Sequence, residues 1–96
     1  MVAIRCALEF EFDPAKSEAN KEKHGIDFEA AQELWRPGKG LTVDARSQDE
    51  VRYGIIGRIE GKFWVGYFTL WHNKIRIISV RRARMAEIRH YEDYYS

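Results

Sequence analysis

VRYGIIGRIEGKFWVGYFTLWHNKIRIISVR, residues 51–81, is the stretch on which the fold turns. Three runs rich in Ile, Val, Phe, Tyr and Trp are separated by two brief polar interruptions. Residues 51–59 and 63–70 flank Glu60-Gly61, a pairing suited to a two-residue hairpin turn. Residues 74–81 follow Trp71-His72-Asn73, which reads as the next tight connection. Strands joined this closely must pair antiparallel, because a parallel neighbour needs a long crossover.

Working outward, residues 2–12 alternate, with Val2, Ile4, Cys6, Leu8, Phe10 and Phe12 on one side, a half-buried strand. Asp13 can then cap a helix, Pro14 suits its first position and Gly25 its stop. That helix is polar, with only Ala15 and Ala19 as small apolar contacts, so it belongs on the surface. A second helix is capped by Asp27 and carries Phe28, Ala31, Leu34 and Trp35 on one face. The segment RPGKG, residues 36–40, ends it. A short strand over 41–45 leads to the polar loop RSQDE, residues 46–50. The last helix spans about 83–94, with Met85, Ile88, Tyr91 and Tyr95 in a stripe able to cover the sheet. The expected fold is a single α+β domain over residues 1–96, a mostly antiparallel sheet with helices packed on it.

Composition narrows the function classes. Hydrophobic residues make up 45% and charged residues 32%, so a packed core is expected rather than disorder. No apolar run reaches the length of a membrane span, and the N-terminus lacks the pattern of a signal peptide. The single cysteine, Cys6, fits a reducing cytoplasm and a buried strand position. No Cys or His spacing suggests zinc, and no glycine pattern suggests a nucleotide loop, so neither metal nor cofactor is expected. Ser79 lacks the context of a serine nucleophile.

Net charge is only +1, yet its distribution is uneven. Residues 9–33 hold eight acids against three lysines, whereas residues 74–84 hold five basic residues and no acid. Arg81, Arg82 and Arg84 surround the start of the last helix, where unpaired amides already create positive potential. Two readings are open: pairing with acids elsewhere in the chain, or a site for an external anion such as RNA phosphate. Simple alternation puts Arg81 with Ile75, Ile77 and Ser79, and Arg76 with Ile78, Val80 and Arg82. Both sets mix apolar and charged residues, so the exposed face is undecided. His24 suits a helix C-terminal cap or a general acid–base, and Glu87 a base or an arginine partner. His72 reads as a turn residue and His90 as structural. Trp35, Trp64, Trp71 and the tyrosines suit packing better than base stacking.

Three ordered blocks carry a resemblance. FEFDPAKSEANKEKHGIDFEAA, DEVRYGIIG and KIRIISVRRARMAEIRHYE resemble the BrnT ribonuclease toxins, over about residues 9–92. The resemblance implies a small RelE-like domain acting as a metal-independent endoribonuclease that inhibits translation and growth. It implies RNA as substrate and a BrnA-like ribbon-helix-helix antitoxin as partner, with DNA contacted only through that antitoxin. Residue by residue it extends to Lys23, His24, Arg52, Arg76, Arg81, Arg82, Glu87 and Tyr91. In the expected reaction the ribose 2′-OH attacks its own phosphate. Arg76 and Arg81 stabilise the developing charge, and His24 or Glu87 moves protons. Lys23, Arg52, Arg82 and Tyr91 hold the RNA. A non-catalytic module binding RNA or antitoxin is the alternative.

Overall fold

A computed structural model describes residues 8–45 and 51–96 of the chain. A five-stranded sheet runs in the order β1-β5-β4-β3-β2. Its strands are β1 (Phe10–Glu11), β2 (Leu41–Asp44), β3 (Tyr53–Ile59), β4 (Lys62–Trp71) and β5 (Lys74–Arg82). Among the described residues only β1 and β5 pair in parallel. The helices are α1 (Pro14–His24), α2 (Phe28–Ala31) and α3 (Met85–Tyr95), and a 3₁₀ turn (Gln32–Trp35) continues α2. Among the described residues no helix is long and apolar enough to cross a membrane.

Both hairpins close as their residues predict. Ile59 pairs with Lys62 across Glu60 and Gly61, whose φ angles are 50° and 83°. Trp71 pairs with Lys74 across His72 and Asn73, at 50° and 64°. Two consecutive positive φ values give a turn whose twist matches the strands. Among the described residues β1 pairs over Phe10–Glu11; residues 2–7 of the expected strand, with Cys6, lie outside the described residues. The loop 46–50 does so as well.

One face of the sheet carries the core. Phe28, Ala31, Leu34 and Trp35 are all buried against Ile55, Trp64, Phe68, Ile75, Ile77 and Val80. The helical stripe is therefore real, although its second half is wound as 3₁₀. Phe10 and Phe12 pack on the same cluster.

The docking of α1 corrects the sequence reading. Its caps are as expected: Asp13 accepts from the Ala15 amide at 2.8 Å, and Gly25 is left-handed at φ 88°. Ala15 and Ala19, however, are exposed, and the buried residues are Ser17 and Asn20. Asn20 donates to the carbonyls of Ile26 and Val80, at 2.7 and 3.0 Å, and accepts from the Val80 amide at 3.1 Å. Its side-chain amide thus meets the edge of β5 as a neighbouring strand would. Ser17 accepts from the Phe28 amide at 2.9 Å, joining α1 to α2. Buried hydrogen bonds, not apolar contact, seat this polar helix.

The other face is more open, and α3 crosses one end of it. This helix has no buried residue, and Met85 is 66% exposed, so the expected apolar stripe does not seal the sheet. Two tyrosine hydroxyls hold it instead, Tyr91 donating to Lys39 O at 2.8 Å and Tyr95 to Gly40 O at 2.7 Å. Tyr91 also meets Phe63 edge-on at 5.4 Å.

Candidate active site

A bulge in β5 settles which way the arginines point. Tyr67 pairs with Ser79 but Phe68 with Ile77, so Ile78 is an extra residue and the alternation shifts there. Ile75, Ile77 and Val80 consequently all face the core. Residues opposite one another share a face, so the Thr69–Arg76 and Val65–Arg81 pairs put both arginines on the open side. Strict alternation assigns them to opposite faces, and no turn residue in RIISVR marks the shift.

Arg81 is the centre of the best-built polar cluster. Its Nη1 and Nη2 donate to the two Glu87 oxygens at 3.0 and 2.7 Å, a forked ion pair. Nη2 also donates to the Tyr67 hydroxyl at 2.6 Å, and Nη1 to the Arg82 carbonyl at 3.0 Å. The pair is largely covered, with side-chain exposures of 20% and 26%. Glu87 in turn accepts from the Arg84 amide at 2.7 Å, at the first turn of α3. The charge pattern at this helix start is now physically clear. Arg81 is offset by an acid, and that acid occupies the helix end where a carboxylate is favoured.

The electrostatic consequences follow from the same contacts. The hydrogen bond from Arg81 holds the Glu87 carboxyl below its ordinary value, with help from the Arg84 amide and against partial burial. The hydrogen bond to Glu87 raises the Arg81 guanidinium further, against desolvation. Glu87 is thus a fixed anion and a weak proton acceptor, and Arg81 is a permanent, oriented cation.

Arg76 is held separately. Its Nε and Nη2 donate to one Glu11 oxygen at 3.1 and 2.6 Å, and its guanidinium lies 4.5 Å from the Trp71 ring centroid. Their partners on β4, Thr69 and Val65, are four residues apart, which separates the two arginine backbones by about 13 Å. Each guanidinium is held on its own carboxylate, Arg76 on Glu11 and Arg81 on Glu87. Among the described residues neither pairs with α1; their ion pairs run to Glu11 and Glu87.

Beside Arg81 lies a groove of about 430 Å³ between α3 and the sheet. Val43, Ile56 and Val65 give it an apolar floor, and Tyr67, Glu87 and His90 bring polar groups. Sequence reasoning did not select Tyr67 or His90. Tyr67 could have been found from its place two residues from Val65 on an alternating strand, once Arg81 was known to pair with Val65. His90 could have been found from its i+3 spacing to Glu87.

The remaining expected residues are dispersed. Lys23 and His24 end α1, the helix that Asn20 seats on the edge of β5. Arg82 sits on the core side, 5.5 Å from the Trp64 ring and paired with Trp64 across the strands. Arg52 immediately precedes β3, its carbonyl accepting from the Ala45 amide at 3.0 Å. Tyr91 anchors α3, its hydroxyl committed to Lys39 O. Arg76, Arg81 and Glu87 are therefore brought onto one face, Arg82 lies on the other, and Lys23 and His24 belong to the helix at the sheet edge. Among the described residues no three His, Cys, Asp or Glu side chains gather as a metal site requires.

Comparison with known proteins adds one finding. The model of the family described as the ribonuclease toxin BrnT of type II toxin–antitoxin systems matches residues 12–87. A search of individually curated proteins gives no significant match. The matched span runs from Phe12 to Glu87 and includes Arg76 and Arg81 of the open face.

Proposed function

The chain belongs to the BrnT family of ribonuclease toxins of type II toxin–antitoxin systems, and on that premise we propose a metal-independent endoribonuclease centred on Arg81. The observation that carries the reading is the fork of Arg81 on Glu87 and Tyr67 beside an open groove. A guanidinium fixed in this way is aimed before substrate arrives, which is what stabilisation of a pentavalent phosphate requires. The ribose 2′-OH attacks the adjacent phosphorus, and the products are a 2′,3′-cyclic phosphate and a 5′-OH. Arg76, about 13 Å along the same face by strand geometry, grips a neighbouring part of the RNA backbone rather than the same phosphate. Glu87 orients Arg81.

Lys23, Arg52, Arg82 and Tyr91 extend the basic and aromatic surface available to RNA, and His24, at the end of α1, is one proton-transfer candidate. The partner in this reading is a BrnA-like antitoxin with a ribbon-helix-helix fold, which supplies the DNA binding, and the toxin acts in the cytoplasm by blocking translation.

One observation favours a second reading. Four of the five Arg81 N–H donors are already engaged, so a phosphate gains more than the remaining Nε–H only by displacing a present partner, as suits a non-catalytic binding module. Induced expression in a bacterium separates the two. A toxin arrests growth and translation, and co-expression of the ribbon-helix-helix partner restores them. A binding module leaves growth unaltered, and that result would contradict the toxin reading.

A further inference from the structure

We propose that the groove between α3 and the sheet holds the ribonucleotide whose 2′-OH attacks, and that His90 at its rim takes the proton; this rests on the ribonuclease reading. The groove's size is that of a small-molecule site, and Val43, Ile56 and Val65 offer an apolar surface to a base. It shares Tyr67 and Glu87 as walls with Arg81. A base in the groove therefore brings its own 3′ phosphate toward the guanidinium.

His90 suits the proton transfer for three reasons. It follows Glu87 by three residues on α3, so their Cβ atoms are about 5–6 Å apart on the same helix face. Ala86 and His90, four residues apart, both line the groove, which fixes this as the helix face turned to it. Among the described residues the His90 imidazole has no hydrogen-bond or ion-pair partner, so it is uncommitted. The other candidates are less well placed: Glu87 is occupied by Arg81 and the Arg84 amide, and His24 does not line the groove.

In the step itself, neutral imidazole removes the 2′-OH proton as the 2′ oxygen forms its bond to phosphorus. The bond from phosphorus to the 5′ oxygen breaks, and the imidazolium returns the proton through water to that oxygen. The products are the cyclic phosphate and a 5′-OH, with no net change in protons.

The test uses the full chain and a short mixed-sequence RNA under single-turnover conditions, beside binding of the same sequence with 2′-deoxyribose throughout. His90→Ala and His90→Gln should each slow cleavage by about 10²–10⁴-fold while binding the deoxy strand like wild type. His72→Asn, in a turn, should match wild type in both. Ala86→Trp fills the groove and should lose binding and cleavage together. Cleavage by His90→Ala at the wild-type rate would overturn the role of His90. Unchanged binding by Ala86→Trp would overturn the groove. If wild type binds the deoxy strand through the groove but never cleaves RNA, the ribonuclease reading and the proton transfer both fail and the nucleotide site stands.

Discussion

At the scale of single residues, two side chains carry disproportionate weight. Asn20 satisfies both backbone groups of Val80 and the carbonyl of Ile26 from a buried position. Asn20→Ala strands all three, and an unsatisfied buried group is costlier than a bond is beneficial. The expected loss is about 2–4 kcal/mol, seen as a lower urea midpoint with unchanged slope. Glu87 is the second. Glu87→Gln keeps the shape but removes the charge facing Arg81, and should cost about 1–3 kcal/mol at neutral pH. Because the folded Glu87 carboxyl lies below its ordinary value of 4.5, its contribution is complete above that pH. It is lost as pH falls through the folded value. Stability curves of wild type and Glu87→Gln should therefore converge on acidification. A gap that persists in acid would contradict the charge-based account.

At the scale of elements, the turns and α3 are the sensitive parts. Glu60 occupies a left-handed conformation that Asn tolerates better. Glu60→Asn, giving Asn-Gly, should stabilise the hairpin by up to about 1 kcal/mol, read as a raised thermal midpoint. The helix α3 buries no side chain and hangs on Tyr91, Tyr95 and the Arg81–Glu87 fork. Its amides should exchange with solvent faster than those of β4 and β5. Tyr91→Phe with Tyr95→Phe should accelerate that exchange further without moving the core strands.

The elements also show where sequence reading succeeds. The caps of α1, both hairpin turns and the stripe of α2 were legible because each depends on local chemistry. The seat of α1 was not, since Asn20 and Ser17 find their partners only after the chain folds back. The site was legible as a cluster of arginines near a helix start. Its geometry was hidden, because one bulged residue, Ile78, reverses the faces on either side of it. Tyr67 escaped notice for the same reason: its relation to Arg81 exists only across strands.

At the scale of the whole molecule, the sheet divides the labour. One face is sealed by α2 and the 3₁₀ turn and supplies the core. The other carries Arg76, Arg81 and the groove under α3, so polar chemistry develops without interrupting the packing. A net charge of +1 fits local rather than global attraction of RNA. The measurement that tests the central claim most directly is RNA cleavage by the purified chain in EDTA, beside Arg81→Ala. The expected result is cleavage by wild type that spares DNA, leaves cyclic phosphate ends and falls by a factor of about 10² or more in the variant. Equal cleavage by both proteins would contradict a site built on Arg81.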